Sequence, residues 1–172
     1  PLVLFAQWYE TALQADGSAA NAMNVATIDS DGRPWSRTVL LKAFDDRGFV
    51  FYTNLGSPKA QHLDANPYAA LCFVWPASRR QVRVQGRAAR VSDAEADAYF
   101  ATRPRETQLS AWASRQSEPL SDRAELEARV AHYERIHSGA VPRPPFWSGY
   151  RVIPERIEFW QEAPHRLHDR IE

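Results

Sequence analysis

The last part of the chain, EFWQEAPHRLHDR at residues 158–170, carries four side chains that can hold a positive charge. Read as an extended strand, this segment places Arg166, His168 and Arg170 on one face, because alternate residues of a strand share a face. Three such groups repel one another unless a negative group lies opposite them. The segment therefore predicts either an anion site or a solvated edge strand, in which charges prevent pairing with another chain.

A second group of candidate residues lies in YFATRPRET at 99–107. Tyr99 and Arg103 are four residues apart on one face of a predicted helix, and Thr107 follows four residues later. A phenol, a guanidinium and a hydroxyl that converge on one point suit a phosphate monoester, which arginine binds through charge-assisted hydrogen bonds. The alternative is an aromatic–cation pair packed on a helix surface.

The stretch YTNLGSPK at 52–59 predicts a strand that passes through a glycine turn into a helix N-terminus. Exposed N–H groups and the helix dipole make such an end suitable for a phosphate. Lys59 would lie in the first helical turn, where a positive charge opposes the dipole unless an anion is present. We therefore expect a phosphate at this turn.

Arg37 and Lys42 stand five residues apart in RTVLLK and fall on opposite faces of a regular strand. They can reach one ligand only if the ligand wraps the strand end or a bulge intervenes. Otherwise they are surface charges at the ends of an apolar strand. Taken with the other motifs, the spacing indicates two phosphate-bearing ligands, one at Arg37 and Lys59 and the other at residues 99–107.

The common catalytic signatures are absent from the sequence. It contains no G-x-S-x-G elbow, P-loop, H-E-x-x-H or G-x-G-x-x-G motif, and no Cys/His spacing typical of a zinc site. The side chains alone offer no strong redox chemistry, so an organic cofactor would have to supply it. We expect no metal.

The composition argues against several other classes of protein. The 172 residues carry 21 basic and 21 acidic side chains, whereas nucleic-acid-binding proteins usually have a basic excess. No apolar run is long enough to span a membrane, and no signal-peptide pattern begins the chain. Cys72 is the single cysteine and can form no intrachain disulfide. We expect a cytoplasmic protein with neither nucleic acid nor membrane as a partner.

Short β-rich runs joined by Asp/Gly turns, such as MNVATID and WSRTVLLKAF, predict an antiparallel meander. Helices are inserted between the strands, but the order strand–helix–strand is too rare for a doubly wound parallel sheet. The predicted fold class is α+β, with an antiparallel, barrel-like sheet flanked by helices. The length predicts a single domain over residues 1–172.

Seven segments spread over nearly the whole length of the chain carry a resemblance to one protein family. In order, they are NAMNVATID, RTVLLK, FVFYTNLGS, RQVRVQG, YFATRPRETQLSAWASRQS, FWSGYRV and EFWQ followed by RLHDR. In sequence and spacing they resemble the pyridoxine/pyridoxamine 5′-phosphate oxidases, an FMN-dependent family of vitamin B6 metabolism. The resemblance implies an FMN-binding split β-barrel that assembles as a homodimer, with active sites at the subunit interface.

The resemblance also implies a reaction. A hydride would pass from the C4′ carbon of pyridoxamine 5′-phosphate or pyridoxine 5′-phosphate to flavin N5. Dioxygen would then reoxidise the flavin, giving hydrogen peroxide and pyridoxal 5′-phosphate.

Individual residues receive roles from the same resemblance. Arg166 and His168 would cover the pyridine ring near the reacting carbon as catalytic and substrate-binding residues. The substrate phosphate would be held by Lys42, Tyr99, Arg103 and Thr107. Gln116 and Ser117 would reach FMN from the partner subunit. The full set of FMN contacts would be Arg37, Thr38, Val39, Leu40, Leu41, Lys42, Tyr52, Thr53, Lys59, Gln81, Gln116, Ser117, Trp160 and Arg170.

The chain departs from the family pattern at three places. Pro58 stands where the family usually has arginine, which predicts weaker flavin binding. Thr107 replaces a serine but keeps the hydroxyl. The chain stops at Glu172, where the family continues into a further strand, so that strand is expected to be missing.

Two alternatives to the oxidase follow from the resemblance and its departures. One is a related FMN oxidase that acts on another ring, such as a phenazine precursor. The other is a non-catalytic module that binds flavin or pyridoxal phosphate. The intact RPRETQ and RLHDR segments favour a phosphorylated pyridine over a phenazine carboxylate.

Overall fold

Five α-helices and eight β-strands make up the fold. The structure is a computed structural model that describes all residues from Pro1 to Glu172. The helices are α1 (Leu2–Asp16), α2 (Pro58–Ala65), α3 (Asp93–Ala101), α4 (Arg105–Ala113) and α5 (Arg123–Ile136). The strands are β1 (Ala22–Ile28), β2 (Pro34–Leu40), β3 (Ala43–Asp45), β4 (Gly48–Asn54), β5 (Tyr68–Trp75), β6 (Arg80–Arg90), β7 (Trp147–Gln161) and β8 (Asp169–Ile171).

The eight strands form one sheet with the order β2-β1-β5-β6-β7-β4-β3, and β8 pairs with β7. The pairs β1–β2, β1–β5, β3–β4, β5–β6 and β7–β8 are antiparallel. The predicted α+β class with an antiparallel sheet is therefore confirmed. No helix is both long and apolar enough to cross a bilayer.

The chain divides into two compact units. The sheet unit comprises residues 1–51, 62–89 and 150–172, and the helical unit comprises residues 52–61 and 90–149. The expectation of a single domain stays a prediction.

The core of the sheet unit is aromatic. Phe5 of α1 is fully buried, and its ring meets the rings of Phe49 and Phe73 edge-on at centroid distances of 4.8 and 5.1 Å. Trp75 is also buried and donates its indole N–H to the carbonyl of Ala20 at 2.9 Å. Because buried aromatic rings remove large apolar areas from water, this cluster anchors α1 on the sheet.

The helical unit packs around Phe100, Leu109, Val141 and Trp147. Two of its helices begin with side-chain caps, which satisfy N–H groups that have no partner within the helix. Ser92 accepts a hydrogen bond from the backbone of Glu95 at 3.2 Å before α3, and Asp122 accepts one from the backbone of Glu125 at 2.8 Å before α5.

One predicted strand is divided into two. WSRTVLLKAF predicts a continuous strand, but β2 ends at Leu40 and β3 begins at Ala43. Leu41 is buried and donates its N–H to the carbonyl of Asn21 at 2.8 Å, whereas Lys42 donates to the carbonyl of Val50 at 2.9 Å. A break thus separates Arg37 from Lys42, which is one condition under which both could reach one ligand.

Candidate active site

A buried lysine forms the first cluster of candidate residues. Lys59, the second residue of α2, is 8% exposed. Its ammonium donates to Thr53 Oγ1 at 3.1 Å, to Ser57 Oγ at 3.2 Å and to Gln116 Oε1 at 2.6 Å. These three oxygens are neutral, so they orient the charge without cancelling it. A cation held in this way suits an anionic ligand.

The loop that carries Gln116 is tied to the end of β4. Asn54 donates its side-chain amide to the carbonyl of Ser114 at 3.2 Å, and its Oδ1 accepts the N–H of Gly56 at 2.8 Å. Gln116 was expected to act from the partner subunit, but within one chain it already reaches Lys59. Ser117 follows with a backbone φ of 69° and is exposed.

Arg37 on β2 is the second candidate cation, and it lies in the sheet unit. Its Nη1 donates to Thr27 Oγ1 at 2.7 Å and to the carbonyls of Val25 and Trp35 at 3.1 and 3.3 Å. Burial lowers the pKa of the Arg37 guanidinium, which nevertheless stays protonated. The acceptors are again neutral oxygens.

Tyr99 and Arg103 both lie in the helical unit, but the prediction that they share one helix face is wrong, because α3 ends at Ala101 and Arg103 follows it. The Tyr99 ring lies parallel to that of Tyr52 at 4.0 Å between centroids, and Trp147 lies parallel to Tyr52 at 5.2 Å. The Arg103 guanidinium lies over Trp147 at 4.9 Å and over Phe100 at 5.5 Å from the ring centroids. The aromatic–cation packing that the sequence left as an alternative is therefore present.

Arg103 also has the property expected of a ligand-binding group. Its Nη1 is buried and has no hydrogen-bond partner. Burial lowers the pKa of Arg103 and raises that of the Tyr99 phenol, whose shift the nearby positive charge of Arg103 partly opposes. An unsatisfied buried donor is costly, and an acceptor such as a phosphate oxygen would remove that cost.

Thr107 has a local hydrogen bond. Its hydroxyl donates to the carbonyl of Pro104 at 2.7 Å, and the residue is exposed. Its convergence with Tyr99 and Arg103 stays a prediction.

The prediction of an extended strand over residues 158–170 is wrong. β7 ends at Gln161, and Pro164–Arg166 forms a short 3₁₀ turn in which His165 and Arg166 have φ values of 57° and 62°. The left-handed turn reverses the chain, so β8 returns antiparallel to β7 with Trp160 opposite Arg170. Left-handed backbone at non-glycine residues is strained and concentrates at functional sites.

The charged residues of this segment therefore lie on a hairpin. The His168 ring lies 4.5 Å from the Trp160 ring between centroids, and its Nδ1 accepts the N–H of Ala163 at 3.2 Å. Arg166 and Arg170 are exposed.

The other predicted contacts are distributed between the two units. Gln81 is half-buried on β6, opposite Val74, and Lys42 is exposed. The sheet unit contains Arg37, Thr38, Val39, Leu40, Leu41, Lys42, Gln81, Trp160, Arg166, His168 and Arg170, and the helical unit contains Tyr52, Thr53, Lys59, Tyr99, Arg103, Thr107, Gln116 and Ser117.

Four residues that support the candidate residues were not predicted from the sequence. Thr27 and His62 form hydrogen bonds behind Arg37, Asn54 holds the loop before Gln116, and Trp147 supports Arg103. Thr27 and Trp147 lie in segments that carry the resemblance, but nothing in their spacing indicates a role. His62 gives no signal, because its partner Thr27 is 35 residues away.

Comparison with known proteins identifies the family. A family model described as pyridoxamine 5′-phosphate oxidase matches residues 10–137. The chain belongs to the pyridoxamine 5′-phosphate oxidase family. Residues 147–172 match a second model, described as the C-terminal dimerisation region of pyridoxine 5′-phosphate oxidase.

Named relatives resemble the chain over nearly its whole length. A protein of Rubrobacter xylanophilus named pyridoxine/pyridoxamine 5′-phosphate oxidase is 60% identical over 99% of this chain and 79% of its own. A protein of Myxococcus xanthus with the same name is 59% identical over 99% of this chain and 83% of its own.

Solved structures place the fold among the split barrels of this family. PhzG of Burkholderia lata, solved with tetrahydrophenazine-1-carboxylic acid, has a TM-score of 0.93 at 34% identity and covers 99% of this chain and 84% of its own. An FMN-binding protein of Nostoc punctiforme, related to pyridoxamine 5′-phosphate oxidase, has a TM-score of 0.72 at 16% identity, with coverages of 96% and 94%. The predicted split-barrel fold is confirmed.

The family implies a bound flavin, and the residues present fit its phosphate. The Arg37 guanidinium and the Lys59 ammonium each donate to neutral oxygens, and both are cations of the kind that binds a phosphate. The fit concerns the phosphate end of the cofactor only.

Proposed function

We propose that the chain is an FMN-dependent oxidase that converts pyridoxamine 5′-phosphate or pyridoxine 5′-phosphate to pyridoxal 5′-phosphate. When bound, FMN would accept a hydride from the substrate C4′ carbon and deliver the electrons to dioxygen, which leaves as hydrogen peroxide. With the amine substrate, water would supply the aldehyde oxygen and the nitrogen would leave as ammonia. The name shared by relatives at 54–60% identity supports the substrate class.

The observation that carries the proposal is the unsatisfied Nη1 of Arg103. The guanidinium rests on Trp147 and Phe100, so its plane is held before any ligand arrives. A planar, preorganised guanidinium binds a phosphate with less loss of side-chain entropy than a flexible lysine does. We assign the substrate phosphate to Arg103, with Tyr99, Lys42 and Thr107 as further donors.

Arg37 and Lys59 would bind the FMN phosphate in this proposal. The other contacts implied by the resemblance would hold the rest of the cofactor. Arg166 and His168 would cover the substrate ring. His168 is oriented by the ring of Trp160 and by the N–H of Ala163, so its imidazole can face a ligand in a fixed direction.

We further propose a homodimer, which the match of residues 147–172 to a dimerisation region supports. Interfacial active sites, in which the partner's loop contributes to FMN binding, are part of the proposal. The cytoplasmic location stays a prediction.

A flavin spectrum tests the proposal directly. The purified protein should be yellow, and anaerobic pyridoxamine 5′-phosphate should bleach its flavin absorption. Readmitted oxygen should restore the colour and yield peroxide. Tight ligand binding without bleaching would favour a non-catalytic binding module instead.

The alternative of a phenazine precursor as substrate has one observation in its favour, the likeness to PhzG at 34% identity. A substrate panel with oxygen uptake separates the two. We expect turnover with the phosphorylated pyridines, and the reverse preference would support the phenazine alternative.

The role of Arg166 is tested by Arg166→Ala. The exposed Arg166 has no assigned contact to flavin, so kcat should fall far more than FMN affinity does. Arg123→Ala is the matched control, because Arg123 is an exposed helix residue paired with Glu127. Equal loss of turnover and flavin binding would count against the assigned role.

A further inference from the structure

The Arg37 guanidinium is hydrogen-bonded within the protein through one of its three nitrogens. All three of its hydrogen bonds come from Nη1, and the shortest, at 2.7 Å, goes to Thr27 Oγ1. Guanidinium has five N–H donors in a fixed fork, so Nε and Nη2 remain for a ligand. These two nitrogens form one edge of the fork, which matches the oxygen spacing of a phosphate.

Thr27 is placed to fix the direction of that edge. It lies on β1, is 1% exposed and faces Trp35 in the β1–β2 register, two positions from the pair formed by Val25 and Arg37. The Arg37 side chain thus lies along the strand pair toward Thr27. Because Thr27 is almost fully buried, water does not compete for the oxygen that accepts from Arg37.

A third residue contacts the Thr27 hydroxyl. Thr27 Oγ1 lies 3.0 Å from His62 Nδ1. Arg37 can only donate, so the Thr27 oxygen accepts from it, while the direction of the hydrogen bond with His62 depends on the His62 tautomer. His62 is held in turn by the edge of the Trp35 ring, at a centroid distance of 5.6 Å.

We propose that Thr27, supported by His62, is a positioning residue for the flavin phosphate. Thr27, which is in contact with His62, occupies Nη1 of Arg37, so that Nε and Nη2 face the phosphate. Thr27 touches neither flavin nor substrate in this scheme. The inference rests on the proposed function, in which Arg37 binds FMN.

The experiment compares FMN with riboflavin, which lacks the phosphate. Dissociation constants are measured on apoprotein by flavin fluorescence quenching for the wild type, Thr27→Val, Thr27→Ser and Arg37→Ala. Valine has the shape of threonine without the hydroxyl. Loss of a hydrogen bond to a charged group predicts that Thr27→Val weakens FMN binding about tenfold.

The conservative variant and the second ligand exclude a merely structural effect. Thr27→Ser keeps the hydroxyl and should bind FMN within about twofold of wild type. Riboflavin affinity should be unchanged in both variants, because the contact of Thr27 with Arg37 affects only the binding of the phosphate. His62→Phe keeps a ring against Trp35 but removes the ring nitrogen that bonds to Thr27, and should weaken FMN binding about threefold. If Thr27→Val fails to fold, His62→Phe carries the same comparison.

The outcomes separate the inference from the function on which it rests. If Arg37→Ala weakens FMN binding and neither Thr27→Val nor His62→Phe does, the positioning role is overturned and the proposed function stands. Equal losses of FMN and riboflavin affinity, or no rescue by Thr27→Ser, also overturn it. If Arg37→Ala leaves FMN affinity unchanged, the proposed role of Arg37 fails as well.

Discussion

Replacing Arg103 by methionine should weaken catalysis while leaving the protein at least as stable. In the free protein, the buried Nη1 of Arg103 has no partner, which costs about 1–3 kcal/mol. Methionine keeps an unbranched side chain against Trp147 and Phe100 but loses the cation–π contacts, each about 0.5–1 kcal/mol. The difference predicts that the free energy of unfolding stays constant or rises by about 1 kcal/mol.

Arg103→Met should also remove the main hydrogen-bond donor to the substrate phosphate. Loss of hydrogen bonds to a charged group, about 1.5–3 kcal/mol, corresponds to a fall in kcat/KM of about 10- to 150-fold. Oxygen uptake with pyridoxamine 5′-phosphate measures this fall. Pyridoxamine without the phosphate is the control substrate, for which the variant and wild type should differ little.

Arg105 supplies a matched control two residues away. Its guanidinium donates to the carbonyls of His137 and Gly139, so its hydrogen-bonding capacity is used within the protein. Arg105→Met should therefore lower the free energy of unfolding and leave kcat/KM near wild type. The reasoning is refuted if Arg103→Met destabilises the protein as much as Arg105→Met while its activity with the phosphorylated substrate is retained.

Three further predictions concern the cofactor and the sheet. Lys59→Met should weaken FMN binding tenfold or more, by about 1.5 kcal/mol, and riboflavin binding little, both measured by fluorescence quenching. The hydrogen bond from Arg83 holds the pKa of Glu158 below its ordinary value of 4.5. The stability that this carboxylate contributes is therefore present above that value and is lost as pH falls through the folded-state pKa. In urea unfolding from neutral to acid pH, the free energy of unfolding should decline less steeply for Glu158→Gln than for the wild type. Gly86→Ala would set a Cβ 2.0 Å from the carbonyl oxygen of Ile153, and should cost about 1–3 kcal/mol in the free energy of unfolding.

Most of the fold could be predicted because it depends on local signals. The strand β5 is a continuous apolar run, and α3 begins after a serine cap, Ser92, which is readable from the sequence. The turn at Pro164–Arg166 could not be predicted, because left-handed backbone at His165 and Arg166 has no local signature in a charged segment. The sequence of this segment is compatible both with a continuous strand and with a hairpin that reverses the chain.

The candidate site was only partly predictable for a related reason. Tyr99 lies in α3 and Arg103 follows just after the end of this helix, so the two residues are already close along the chain. The contact of Lys59 with Gln116 joins residues 57 positions apart, and that of Thr27 with His62 joins residues 35 apart. No periodicity reports such pairs, since each depends on how distant elements pack.

Several arginines that have no part in the proposed site are paired with carboxylates. Arg143 forms salt bridges with Asp93 and Asp97, Arg151 forms one with Asp45, and Arg83 forms one with Glu158. With equal numbers of acidic and basic residues, carboxylates are plentiful in this chain.

Arg37 and Arg103 are nevertheless held by hydroxyl, carbonyl or aromatic groups alone. A carboxylate beside either of them would compete with a phosphate for the same N–H groups and would neutralise the charge that attracts it. The lack of acidic partners at these two positions is thus what an anion site requires. Placing a carboxylate there, as in Thr27→Asp beside Arg37, should raise the dissociation constant for FMN more than Thr27→Val does.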